Sequence, residues 1–187
     1  RRDEDADLSC VCTTGVTNMS SIFDEYISFN QPIGNWDVSN VTDMSDMFSG
    51  GFLEPSSFNQ PIGNWDVRNV TDMGRMFADA TSFNQPIGNW DVGNVVNMEK
   101  MFHGATRFNQ DISTWDVSQV NTMESMFHSA MRFNQDITNW NVGNVTNMKD
   151  MFAHANQFDQ DLGNWNVANV TVMENMFRNV TLSTDNY

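Results

Sequence analysis

Phe83 to Arg107 reads FNQPIGNWDVGNVVNMEKMFHGATR, and the same 25-residue string returns with small changes from Phe29, Phe58, Phe108, Phe133 and Phe158. A partial copy, Val16 to Ser28, precedes them. The tryptophans mark the period: Trp65, Trp90, Trp115, Trp140 and Trp165 follow one another at 25 residues. Trp36 lies 29 before Trp65, because its copy carries four extra residues around Gly50 to Pro55. A fixed period of this size marks an array of stacked coils.

Two patterns alternate inside each copy. Trp90-Asp91-Val92 has the in–out–in order of a short strand. Met98, Met101, Phe102 and Ala105 then fall at i, i+3, i+4, i+7, which predicts a short amphipathic helix. Thr42, Thr71, Asn121, Thr146 and Thr171 stand where N-caps belong. Asn121 with Glu124, and Thr171 with Glu174, have capping-box spacing. The remainder, Phe-Asn-Gln-Pro/Asp-Ile-Gly-Asn, carries turn residues around one apolar anchor, Ile87 and its equivalents. The expected fold is therefore α/β: a leucine-rich-repeat-like solenoid of about six to seven coils, each with a short strand and a short helix. Residues 1–15 are expected to be an N-terminal extension or cap, 16–180 the solenoid with its insertion near 50–55, and 181–187 a C-terminal tail. One coil cannot bury its own apolar face, so the Trp, Val, Ile, Met and Phe files belong to a shared core. Each buried aromatic there contributes roughly 2–3 kcal/mol.

The chain carries 24 acidic against 9 basic residues, a formal net charge of −15. Such a field repels nucleic-acid phosphate and anionic lipid, and favours cations or basic partners. No apolar run reaches the ~18 residues of a membrane-spanning helix. The chain opens Arg1-Arg2-Asp3-Glu4-Asp5, with neither an initiator Met nor a secretory leader. The expectation is a mature product or a piece of something longer. Cys10 and Cys12 are too close for an unstrained mutual disulfide. They are read as part of an N-terminal cap, with a metal-binding Cys-x-Cys or a link to another chain as alternatives.

Asp37, Asp66, Asp91 and Asp116, followed by Asn141 and Asn166, occupy the outward position between Trp and Val. Stacked at about 5 Å, neighbouring carboxylates repel by about 0.8 kcal/mol per pair even at water's dielectric constant. Relief comes either from turn amides or neighbouring Asn side chains, a purely structural role, or from a bound Ca²⁺. Asn40, Asn69, Asn94, Asn144 and Asn169 form a second file, read as a hydrogen-bonding ladder. Their Asn-Val-Thr triplets are formal glycosylation acceptors in all but Asn94, but they arise from the repeat itself. Asn18 and Asn179, near the ends, are the better candidates. His103 and His128 share one repeat position, with His154 shifted by one. Two imidazoles at that spacing invite a shared metal, but no third ligand matches, and half-covered surface histidines are the simpler reading. No Ser-His-Asp order, HExxH or phosphate-cradling loop is present.

The pattern W-[DN]-V-x-x-V-x-x-M-x-x-M-F-x-x-A, with F-N-Q between copies, resembles the BspA-like leucine-rich-repeat surface proteins. That group includes the 25-residue repeats of mycoplasma lipoproteins. The match runs from about Val16 to Val180, and six copies keep the Trp, both Val, both Met and the Phe. The resemblance implies a surface repeat protein with adhesive or partner-binding roles and no catalytic residues. Met, Phe and Trp stand where ordinary leucine-rich repeats use Leu, so binding specificity does not carry over.

The functional expectation is a non-enzymatic, acidic surface module, extracellular or at a cell surface, that mediates protein–protein or cell-surface binding. Its expected working surfaces are the file Asp37, Asp66, Asp91, Asp116 and the inserted loop with Phe52 and Leu53, which either fold over the core edge or anchor a partner. The expected partner is a protein or a cell-surface macromolecule, not nucleic acid, and no membrane span is expected in this chain. No cofactor is expected, with Ca²⁺ as the exception if the protein is a calcium-dependent binder. A further alternative is a structural subunit packed into a filament, coat or multi-protein complex through its end faces.

Overall fold

The backbone of the coil Phe83–Arg107 is a succession of turns closed by i to i−3 hydrogen bonds. The N–H of Trp90 donates to the carbonyl of Ile87, Val95 to Val92, Met101 to Met98, His103 to Lys100, and Ala105 to Phe102, all at 2.9–3.2 Å. The alternate amides in the second half point along the stack. Those of Met98, Lys100, Phe102 and Gly104 donate to the carbonyls of Thr122, Glu124, Met126 and His128 in the next coil, at 2.8–3.2 Å. In the opposite sense, the N–H of Val96 donates to Thr71 of the coil before. Every second amide thus closes a turn, and the others tie the coils together.

The computed structural model describes residues 8–51 and 53–183. Across it, these ties produce isolated parallel bridges, running from Asn18 through Asp43, Asp72, Asn97, Thr122 and Asn147 to Val172. This overturns the α/β expectation. Among the described residues the only helix is a 3-10 turn at Leu8–Cys10, and no bridge extends into a strand.

The physical reason lies in the period of the turns. Lys100 and Gly104 both have positive φ, 55° and 66°, and sit four residues apart. Ser125 and Ser129, Asp150 and His154, Asn175 and Asn179 repeat the arrangement. A turn chain with a four-residue period buries i, i+3, i+4 and i+7 together, just as a 3.6-residue helix does. Met98, Met101, Phe102 and Ala105 are indeed all fully buried. An eight-residue helix is marginal alone, and it would use internally the amides that here bind the next coil. Trp90-Asp91-Val92 also keeps its in–out–in alternation, with Trp90 and Val92 buried and Asp91 exposed. It is not a strand, because the neighbouring amides close local turns instead of pairing with another coil.

The predicted N-caps have no helix to cap. The hydroxyls of Thr42, Thr71, Thr146 and Thr171 donate 3.1 Å to the carbonyl of the same position one coil earlier, for example Thr71 to Thr42. The capping boxes dissolve likewise: Glu124 accepts from the side-chain amide of Asn147. Turn capping shifts one residue on, where Asn97 Oδ1 accepts the N–H of Glu99.

The core is a set of aromatic files. Phe102 stacks on Phe108 of the following copy at 3.9 Å between centroids, and on Phe77 and Phe127 at 5.7 Å. Trp65 lies parallel to Trp90 at 6.5 Å, and Trp115 to Trp140 at 6.4 Å. All six indoles are buried. Close stacking also explains Gly88, where an added Cβ would stand 2.4 Å from the carbonyl oxygen of Asp111.

Coil geometry begins before the recognisable repeat. Leu8 lies 25 residues before Ile33 and does the same work. Its carbonyl accepts the indole N–H of Trp36 at 3.0 Å, as Ile33 accepts that of Trp65 at 3.2 Å. The N–H of Val11 donates to Leu8 as Trp36 does to Ile33, and Val16 to Thr13 as Val41 does to Val38. Residues 8–28 are thus a coil with Val11 in the Trp position and Thr13 in a Val position. That substitution accounts for the hydroxyl of Thr13, which is buried without a hydrogen-bond partner.

Candidate binding surface

The outward Asp file is built by the turn that follows each tryptophan. One carboxylate oxygen of Asp37 accepts the N–H of Ser39 at 3.1 Å, that of Asp91 accepts Gly93 at 3.2 Å, and that of Asp116 accepts Ser118 at 3.0 Å. Asn141 and Asn166 do the same through their amide oxygens. Of the sources of relief weighed from sequence, the turn amides are the ones in contact. Hydrogen bonds from the Ser39 hydroxyl and then its N–H hold the Asp37 carboxyl below its ordinary range, and those of Ser118 do so for Asp116. Asp91 and Asp116 are themselves exposed to solvent.

Asp66 carries a countercharge, from a residue outside the expected site. The Nε of Arg68 lies 2.8 Å from Asp66 Oδ1. The pKa of Arg68 is raised by this hydrogen bond, by the charge of Asp66 and, more weakly, by that of Asp91. The signal was present: Arg68 sits two residues after Asp66, where other copies have Ser, Gly or Ala.

The Asn file at 40, 69, 94, 144 and 169 is a ladder. Asn94 Nδ2 donates 2.7 Å to the carbonyl of Arg68 in the previous coil, and Asn69, Asn144 and Asn169 repeat the bond. Phe-Asn-Gln, expected to be turn residues, forms a second ladder. Asn59 Oδ1 accepts the N–H of Asn84 at 2.9 Å, and Gln85 Nε2 donates to the carbonyl and side chain of Asn59 at 3.0 Å. The pattern runs from Asn30 to Gln160.

The structure brings all three histidines together on one flank. The rings of His103 and His128 are parallel at 4.7 Å, and His154 leans on His128 at 5.3 Å. The ring of His103 also lies 3.7 Å from Asp79. Burial lowers the pKa of His128, with smaller contributions from His103 and His154. Among the described residues, no three His, Cys, Asp or Glu side chains form a group suited to a metal ion.

The insertion folds as a tight loop, with Gly51 and Glu54 exchanging backbone hydrogen bonds at 3.0 and 3.1 Å. Leu53 is 87% exposed at its tip. Phe52, named with it, lies outside the described residues. A shallow hollow beneath is lined by Glu25, Ile27, Gly51, Leu53 and Glu54. The glycosylation candidates are exposed, with their amides engaged: Asn18 Nδ2 donates 3.0 Å to Asp43, and Asn179 Nδ2 lies 3.3 Å from the ring of His154. Cys10 and Cys12 are exposed and share no disulfide. Among the described residues, no helix is long and apolar enough to cross a membrane.

No curated protein and no solved structure matches this chain. A family model described as "Mycoplasma protein of unknown function, DUF285" matches it twice, over residues 2–106 and 85–187. The two matches overlap within the repeat array and together span nearly all of it, so the chain belongs to the DUF285 family of mycoplasma repeat proteins.

Proposed function

We propose that the chain is a non-enzymatic binding module that works at a cell surface and takes a protein or other macromolecule bearing basic groups. The observation that carries this reading is the outward acidic file. Turn amides hold one oxygen of Asp91 and one of Asp116 in place, and both residues are exposed to solvent. Carboxylates already oriented by the backbone lose little side-chain freedom on meeting a cation. A net charge of −15 draws basic partners in and raises their association rate. The apolar positions of the repeat lie inside, so it offers a partner polar groups in register. The likeness of the repeat to BspA-like surface proteins supports the cell-surface setting.

The test is titration with a fluorescent oligolysine peptide. Changing Asp66, Asp91 and Asp116 together to Lys should weaken binding well beyond a control with the same charge change on another edge, Asp111, Asp136 and Asp161 to Lys. Equal loss in the two variants would reduce the effect to net charge and remove the assigned face.

A further inference from the structure

We infer that Arg107 and Arg132 form a clamp for a single phosphate or sulfate ester group on an otherwise uncharged ligand. The clamp lies in the middle of the array, at a different repeat position from the acidic file, and is independent of the reading given for that file.

The two arginines are departures from the repeat. Other copies have Ser57, Ser82 and Gln157 at this position, so stacking does not require a cation there. In the same two copies a histidine follows Met-Phe, where others have Ser49, Ala78, Ala153 and Arg178. The last five residues of these coils, His103 to Arg107 and His128 to Arg132, therefore each carry two basic groups and no carboxylate.

Stacking sets the arginines side by side. Just before them in the chain, the N–H of Gly104 donates 2.8 Å to the carbonyl of His128. Just after them, Asn109 Oδ1 accepts the N–H of Asn134 at 2.9 Å. The neighbouring rings repeat at coil spacing, Phe102 to Phe127 at 5.7 Å and Phe108 to Phe133 at 6.1 Å. Both arginines are exposed. Arg68, Arg75 and Lys100 are paired with Asp66, Asp46 and Glu99, whereas among the described residues Arg107 and Arg132 pair with no carboxylate. The acids that follow them in the chain, Asp111 and Asp136, are turned onto the backbone N–H groups of Ser113 and Thr138.

A guanidinium presents parallel N–H donors that match two oxygens of an oxyanion. A phosphate or sulfate ester has three free oxygens and accepts two such forks from opposite sides, whereas a carboxylate has only two oxygens. The wider field limits the rest of the ligand. At a net charge of −15 the chain repels a polyanion over most of its surface, while a lone oxyanion meets chiefly the local basic groups.

The test is an NMR titration of the 187-residue chain at low ionic strength with phenyl phosphate and, separately, phenyl sulfate. At least one probe should shift the side-chain signals of Arg107 and Arg132 saturably, at millimolar concentration or below. The probe that saturates first distinguishes a phosphate from a sulfate ligand. Because both arginines are exposed, Arg107→Gln and Arg132→Gln should fold as the wild type does and should each weaken binding about tenfold. Arg68→Gln removes the same charge elsewhere and should leave binding unchanged, and polyglutamate should not compete. No saturable shift with either probe, equal loss in Arg68→Gln, or displacement by polyglutamate would overturn the inference.

Discussion

The indole Nε1 of Trp90 donates 3.1 Å to the carbonyl oxygen of Ile62 in the preceding coil, and the same oxygen accepts the backbone N–H of Trp65 at 3.1 Å. One buried carbonyl therefore closes its own turn and fastens the next tryptophan. The bond recurs at Trp115, Trp140 and Trp165. The tryptophan supplies a directional tie between coils as well as apolar bulk, so phenylalanine is not its equivalent.

Replacing Trp90 by Phe should cost about 1–3 kcal/mol, from one lost hydrogen bond and a partly unfilled ring site. Because Ile62 keeps its bond from Trp65, the carbonyl is not orphaned. Urea unfolding would show this as a lower midpoint with little change in slope. A loss no larger than that of an exposed control would mean that the indole bond adds nothing.

Thr13→Val should stabilise the chain by about 1 kcal/mol, since it removes a buried, unpartnered hydroxyl at a position where later coils carry Val. Val is nearly isosteric with Thr, so the packing should hold. Thermal denaturation should show a higher Tm, and a lower one would imply that the hydroxyl has a partner.

Lys100→Gly separates the turn chain from a helix. At φ of 55° a side chain costs about 1 kcal/mol that glycine does not. The half-exposed pair with Glu99 offsets only a little of this when lost. The variant should gain stability by a few tenths to about 1 kcal/mol, whereas in a helix it would lose about 1 kcal/mol.

Acid should act in two stages. The pKa of His128 is lowered in the fold, so the unfolded chain takes up the proton more readily. Stability should fall as pH drops below about 6.5 and level off once the folded state also protonates. The carboxyls of Asp37, Asp111, Asp116 and Asp136 are lowered from 3.8 by turn hydroxyls and amides. Their contribution is present above that value and is lost as pH falls through the folded pKa. Tm measured against pH should show both stages, with the upper one diminished in His128→Asn.

The period and the buried positions of the full copies were legible in the chain. Trp, Val, Met and Phe recur at 25 residues, and burial follows from residue type once neighbours stack. The Asn94 ladder was legible too, because an exposed Asn at each coil turn has a carbonyl within reach one coil away. The role of Phe-Asn-Gln was not. Asn59 and Gln85 belong to different copies, and only stacking brings them together. The coil at 8–28 was hidden because Val11 and Thr13 replace the residues that announce the repeat.

By itself, the sequence determined that 25-residue units stack and which side chains face inward, because apolar surface must leave water whatever the backbone does. It left the backbone conformation open, since a stripe at i, i+3, i+4, i+7 satisfies a helix and a four-residue turn chain alike. Only the tertiary structure decided between them. An adjoining coil supplies acceptors for alternate amides, and that gain offsets the left-handed φ of residues such as Lys100. The acceptor that selects the conformation lies 24 positions away in the chain, as Glu124 does from Lys100, where no local pattern reveals it.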